Sequence, residues 1–262
     1  MAFRSIIAHS PNFDRRPQGV AIDMLVLHYT GMKSAENAIS RLCDPAAKVS
    51  AHYTIDREGC VYAHVAEEMR AWHAGVSYWA GAAAVNGRSI GIELVNPGHE
   101  FGYVPYTDVQ IEALIELAKE ILSRHPIPPN RVLGHSDVAP SRKTDPGELF
   151  PWRRLAEYGI GLFPNVSAPA LAGEVRPKGG KGAPSDLSAA ARSAQAEAWR
   201  EAEGADVAVG LSRFGYGVPP QVDVPLEAVI SAFQRHFRPE KIDGIWDGEC
   251  QALLGGLPAS IV

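Results

Sequence analysis

Residues 22–30, IDMLVLHYT, decide the fold. Met24, Leu25, Val26 and Leu27 place apolar side chains on both faces of an extended chain, the pattern of a strand buried on both sides within a sheet. Such a strand needs neighbours and covering helices, and the flanking text supplies them. Residues 34–42 read as a helix with Ser34 as its cap and Asp44-Pro45 as its stop. AHYTIDREGCVYAHV, residues 51–65, has two alternating runs around a turn at 56–59, which makes a hairpin. SIGIELVN, residues 89–96, is a further strand. In TDVQIEALIELAKEILSRH, Thr107 caps a segment whose Val109, Ile111, Leu114, Ile115, Ala118, Ile121 and Leu122 recur near helical spacing. This predicts an amphipathic helix lying on the sheet. The fold class is therefore α/β, a mixed central sheet flanked by helices.

Composition changes after Pro164. Residues 166–186 mix Pro, Gly and Ala without periodicity and read as a linker, with a coil reach of ~25 Å. An Ala-rich helix with little apolar surface follows at 187–204. Apolar periodicity returns in PLEAVISAFQRHF, where Val229, Ile230, Phe233 and Phe237 share one helical face. DGIWDGE then turns into a last short helix, CQALLGGL. The expected organisation is a large domain over 1–164, a linker and connecting helix over 165–204, and a small three-helix module over 205–262.

The 262 residues are 46% hydrophobic and 21% charged, with a net charge of −5. No basic stripe is present, which argues against nucleic acid as a partner. No apolar run reaches the ~18 residues that membrane insertion requires. Cys43, Cys60 and Cys250 form no CxxC pair and suit free thiols in a reducing compartment. The run Ile6-Ile7-Ala8 is shorter than the core of a signal peptide, ~7–15 residues. Together these predict a cytoplasmic location, with a periplasmic or secreted one as the alternative.

Three residues could carry metal chemistry. His28 ends the quoted strand. His135 and Asp145 lie in VLGHSDVAPSRKTDPG, residues 132–147, a run broken by turn formers. Singly, each suits a core histidine or a turn aspartate. As a set they meet the needs of a catalytic zinc site, three N or O ligands with a fourth position open. The nine residues between His135 and Asp145 are turn-rich, so the loop can fold back and bring both side chains to one ion. In an extended KTD segment Lys143 points the same way as Asp145 and stands beside the metal. Glu93 sits in mid-strand, on the face of Gly91 and Val95 and opposite Ile90, Ile92 and Leu94. Gly91 leaves room for a ligand there, and an unpaired carboxylate at that position is costly. It is either salt-bridged or a general base for a water nucleophile.

LVLHYTG, AHYTIDREG, AWHAGVSYWAG, RSIGIELVN and VLGHSDVAPSRKTDPG, in this order, resemble the zinc-dependent N-acetylmuramoyl-L-alanine amidases of the type-2 amidase fold, shared with peptidoglycan-recognition proteins. The resemblance covers roughly residues 15–160. It implies that His28, His135 and Asp145 bind Zn2+, that Glu93 is the catalytic carboxylate and that Lys143 stabilises developing negative charge. It also implies a substrate cleft walled by Trp72, His73 and Trp79, with Asn86 and Ser89 near its rim. Composition alone makes the three aromatics equally suited to a core. His52 and His64 are expected to be structural, and His73, His99 and His125 to lie outside the ligand set.

GLSRFGYGV, AVISAFQRHF and DGIWDGECQALL resemble the three-helix peptidoglycan-binding module found beside such amidases. A flexibly tethered module of that kind would raise the effective concentration of enzyme at its substrate, whereas a plain bundle would only prop the catalytic domain. The implied reaction is hydrolysis of the amide between N-acetylmuramic acid, or its anhydro form, and the L-alanine of the stem peptide. The implied partners are peptidoglycan or muropeptide fragments. The alternatives are a non-catalytic fragment sensor, which would usually lack one of the five positions, and a secreted or phage-type wall lysin.

Overall fold

The computed structural model describes residues 4–164 and 204–258. Its core is a six-stranded sheet of β1 (Ser5–Ile7), β3 (Met24–Tyr29), β4 (Tyr53–Ile55), β5 (Val61–Ala63), β9 (Ser89–Leu94) and β10 (Val132–Gly134). The spatial order is β1-β5-β4-β9-β3-β10. The β4–β5 hairpin is antiparallel and every other ladder is parallel, so the sheet is mixed. Met24 through His28 are buried, as the two-faced apolar pattern demands. Two small ribbons flank the sheet: β2 (Phe13–Arg15) with β6 (Met69–Ala71), and β7 (Tyr78–Trp79) with β8 (Ala82–Ala83).

Alternation along β3 and β9 divides the sheet into two faces. Leu25, Leu27, Ile90, Ile92 and Leu94 pack against Ile111, Leu114, Ile115, Ala118 and Ile121 of α3 (Asp108–Arg124). The Thr107 side chain caps α3 by accepting from the Gln110 N–H. One position departs from the expected stripe. Val109 is 50% exposed, while Gln110 is buried and donates its amide to the Ile55 and Val95 carbonyls. The start of α3 meets the end of β4 and the residue after β9, where the Gln110 amide bonds the Val95 carbonyl and joins the Val95 N–H as a second donor to the Ile55 carbonyl, so a polar side chain points inward there.

Short helices complete the first part of the chain: α1 (Ala35–Cys43), capped by Ser34, α2 (Gly98–Phe101), α4 (His135–Val138) and α5 (Trp152–Glu157). Beyond it, residues 204–214 form α6, followed by α7 (Leu226–Phe237) and α8 (Gly248–Gly255). These helices do not stand apart from the sheet. Phe214, Tyr216, Val229, Phe233 and Phe237 belong to one apolar cluster with Met24, Val26, Trp79, Leu133 and Val138. The Ala80 N–H also donates to the Gly215 carbonyl at 2.7 Å. The linker and the Ala-rich helix expected up to residue 203 lie outside the described residues. Among the described residues no helix is long and apolar enough to cross a membrane, and all three cysteines are free thiols.

Candidate metal centre

The second face of the sheet carries the chemistry. His28 on β3 and Glu93 on β9 are register partners on adjacent parallel strands, so their side chains stand side by side. His135 opens α4 directly after β10, itself paired with β3. The loop after α4 folds back, with the Ser136 N–H donating to the Asp145 carbonyl at 2.9 Å. Three buried donor atoms meet there. His28 Nδ1 lies 2.9 Å from His135 Nδ1 and 3.0 Å from Asp145 Oδ2, and His135 Nδ1 lies 3.1 Å from the same oxygen.

The surrounding hydrogen bonds fix where the ring protons sit. The Ser89 hydroxyl donates to the Val85 carbonyl at 2.8 Å, so its oxygen accepts from His73 Nε2 at 3.1 Å. His73 Nδ1 is thereby left to accept from His28 Nε2 at 3.0 Å, and His28 Nδ1 carries a lone pair. His135 Nε2 donates to the Ala74 carbonyl at 3.0 Å, which leaves a lone pair on its own Nδ1. Burial, followed by the neighbouring His135, pushes the His28 pKa down to about 4, so the ring is neutral near pH 7. Two lone pairs and a carboxylate oxygen thus face one another with no proton between them. That arrangement is repulsive unless a cation occupies its centre. Two imidazoles and a carboxylate, each oriented from outside, are a donor set suited to a divalent metal ion.

Glu93 is half-buried beside this centre, and its Oε2 is covered and has no hydrogen-bond partner. Burial, then the Asp145 charge, hold its carboxyl well above the usual carboxylate range, with Lys143 opposing them. The centre opens into a cleft of about 590 Å³. His28, His135, Asp145, Glu93, Lys143, Trp72 and His73 all line it.

Three other expected cleft residues lie elsewhere. Trp79 is fully buried, with its ring 4.8 Å from that of Tyr216 and 5.9 Å from that of Phe214, so it is a core aromatic joining the sheet to the C-terminal helices. Asn86 accepts from the His73 and Ala74 N–H groups at 3.1 and 2.7 Å, bracing that segment from behind. Ser89 is fully buried and ends the proton chain behind His28. Gly91 also differs from expectation, since the space above it holds the His73 imidazole, not a ligand.

Other cleft residues carried no signal in the sequence. Tyr29, Arg41 and Phe101 line the cleft, and Arg142 donates to the Ala74 and Val76 carbonyls. Arg142 directly precedes Lys143 in the quoted loop, and that adjacency was the one available cue. His52 and His64 are held by local bonds, His52 Nδ1 accepting from the Gly91 N–H and His64 lying between Ala8 and Thr54.

The chain is similar in sequence and fold to known proteins. A family profile described as N-acetylmuramoyl-L-alanine amidase matches residues 18–148. The chain is 37% identical over 252 residues to the N-acetylmuramoyl-L-alanine amidase AmiD of Escherichia coli, covering 90% of this chain and 82% of that one. It is 36% identical over 163 residues to the 1,6-anhydro-N-acetylmuramyl-L-alanine amidase AmpD of Haemophilus influenzae, covering 55% of this chain and 86% of that one. Among solved structures, E. coli AmiD in complex with anhydro-N-acetylmuramic acid-L-Ala-D-γ-Glu-L-Lys superposes with a TM-score of 0.72 at 36% identity, covering 93% and 91% of the two chains. AmpDh3 of Pseudomonas aeruginosa in complex with an anhydromuramic pentapeptide gives 0.70 at 35% identity, covering 95% and 96%. From the profile match and the breadth of these alignments, the chain belongs to the N-acetylmuramoyl-L-alanine amidase family.

Proposed function

We propose that this amidase acts on anhydro-muropeptides, cutting the amide between the lactyl carbonyl of the sugar and the L-alanine of the stem, with a zinc ion held by His28, His135 and Asp145. The convergence of two imidazole lone pairs and a carboxylate, with Glu93 in register beside them, carries this reading. The substrate form rests on the two structures, similar over more than nine-tenths of this chain, that hold anhydromuropeptides.

Zinc in this set supplies Lewis-acid polarisation of the scissile carbonyl. Glu93 accepts a proton from the water whose oxygen attacks the carbonyl carbon. Lys143, on the cleft wall, donates to the oxygen that gains negative charge as the carbon becomes tetrahedral. Glu93 then returns its proton to the alanine nitrogen as the C–N bond breaks, leaving a carboxylic acid on the sugar and a free amine on the peptide. A carboxyl with raised proton affinity takes the water proton more readily and holds it at neutral pH until the departing alanine nitrogen, a stronger base, accepts it.

The test is turnover of an anhydro-muropeptide and of intact sacculi, with and without a chelator, with products identified by mass. Cleavage of the anhydro-muropeptide at the alanine amide, lost with chelator and restored by zinc, is the expected result. Glu93→Gln should keep its zinc and lose about 10²–10⁴ in rate, whereas His28→Ala should lose both. A zinc-loaded protein that cleaves neither substrate removes the hydrolase reading, and full zinc in His28→Ala removes that residue from the ligand set.

A further inference from the structure

We propose that Tyr216 and His236, from the C-terminal helical part, are positioning residues for the metal centre that act through Asp137. Asp137 is 1% exposed and lies two residues beyond His135 in the single turn of α4. Its carboxylate accepts three hydrogen bonds. Oδ2 takes the Gly134 N–H at 2.7 Å and His236 Nδ1 at 2.8 Å, and Oδ1 takes the Tyr216 hydroxyl at 2.7 Å. A carboxylate only accepts, so both side chains of the C-terminal part are donors.

Both donors are themselves held. The His236 ring stacks on Trp152, with centroids 3.7 Å apart and planes 17° apart, and on Phe237 at 4.1 Å. Tyr216 packs edge-on against the buried Trp79. The element they grip cannot hold itself, because a four-residue turn makes too few internal hydrogen bonds to be stable alone. Its position comes from what is bonded to it, and Asp137 is its buried anchor. His135 begins that same turn, with its Nε2 already directed to the Ala74 carbonyl. If the two outer donors are removed, a buried carboxylate keeps only the Gly134 N–H. The turn must then move to find water or another donor, and it takes the His135 ring with it.

The C-terminal part is thereby a component of the metal centre in this chain, whatever its surface binds. The inference rests on the metal reading above and concerns how tightly His135 is held.

The experiment uses the full chain. Zinc affinity is read by competition with a chromophoric chelator, and ligand geometry by the visible absorption of the cobalt-substituted protein. Tyr216→Phe removes one oxygen and no packing. His236→Phe keeps the stack and removes the donor, and His236→Asn returns an N–H near the Nδ1 position. Val229→Ala, in the core of α7 and outside the Asp137 hydrogen bonds, weakens the C-terminal part without touching the clamp.

Each of the first two variants should weaken zinc about threefold, and the pair about tenfold, with a shifted cobalt spectrum. His236→Asn should recover most of its loss. Val229→Ala should bind zinc like the parent while melting lower. A double variant with parental zinc affinity and cobalt spectrum overturns the proposal. If the double variant does not fold, Tyr216→Phe decides by the same criterion. A parent chain that takes up no zinc refutes the metal reading itself. One that binds zinc no tighter than its variants refutes only the positioning role.

Discussion

Replacing Gly91 with alanine would place a Cβ 2.5 Å from His73 Cγ, 2.6 Å from Cδ2 and 2.7 Å from Nδ1. Carbon atoms in contact sit about 3.5–4.0 Å apart, so the imidazole has to retreat by roughly 1 Å. It has little space to do so. His73 is 9% exposed and lies among His28, His52 and Ser89, with its backbone N–H tied to Asn86. Overpacking of this kind costs about 1–3 kcal/mol. At about 2–4 °C per kcal/mol for a chain of this size, the melting temperature should fall by roughly 2–12 °C.

The functional effect is separate from that strain. A displaced ring breaks the bond from His28 Nε2 to His73 Nδ1, and with it the bond that keeps the His28 lone pair on Nδ1. Losing a partner that orients a ligand typically weakens metal binding about 10–100-fold. Thermal unfolding of the chelator-treated protein measures the first effect, and zinc competition at a temperature where the variant is folded measures the second. Gly255→Ala is the control, because no atom lies within 4 Å of its added Cβ and it ends a helix. Parental melting and parental zinc affinity in Gly91→Ala would refute the account of the His73 ring and of the chain of protons behind His28.

Lys143→Met should keep zinc and lose about 10²–10³ in kcat, read by turnover of an anhydro-muropeptide beside metal analysis; an unchanged kcat would place the charge stabilisation elsewhere. Away from the centre, burial raises the Glu67 pKa, but hydrogen bonds from Arg124, His125 and Tyr53 outweigh it and bring it down to about 2. A depressed carboxylate contributes its stability in full above its unfolded pKa of about 4.5 and loses it as pH falls towards 2, so stability should decline across that window. After allowance for screening at the exposed Arg124, roughly 2 kcal/mol is at stake, and urea unfolding of Glu67→Gln between pH 6 and pH 2 should show a correspondingly flatter profile.

Period-2 alternation made much of the fold legible. It marked β3 as buried on both faces and put Glu93 on the face opposite Ile90 and Ile92, because side-chain direction along a strand follows from sequence alone. The loop carrying His135 and Asp145 was legible as a folded-back segment through its turn formers. Partners distant in sequence were not legible. Trp79 reads equally as a cleft wall or a core ring until Gly215 and Tyr216 are brought against it. Ser89 and Asn86 stood near the correct centre, but a hydroxyl or an amide does not announce whether it faces a substrate or the back of a histidine. Val109 and Gln110 exchanged their expected places because the Gln110 amide bonds the Val95 carbonyl and adds a second donor to the Ile55 carbonyl beside the Val95 N–H, and that meeting point appears only once the sheet is assembled.

The pairing of His28 with Glu93 has a consequence for how this centre tolerates change. The spacing between the two is set by the hydrogen-bond ladder, about 4.8 Å from strand to strand, and not by any connecting segment. Insertions or substitutions in the surrounding loops can reshape the cleft without altering the reach of the proton carrier. A slip of a single residue between β3 and β9, by contrast, would set Ile92 or Leu94 opposite His28 and turn Glu93 into the apolar layer beneath α3. The two strands therefore act as a fixed gauge, and catalytic competence in this chain should switch on or off with their alignment instead of fading by degrees.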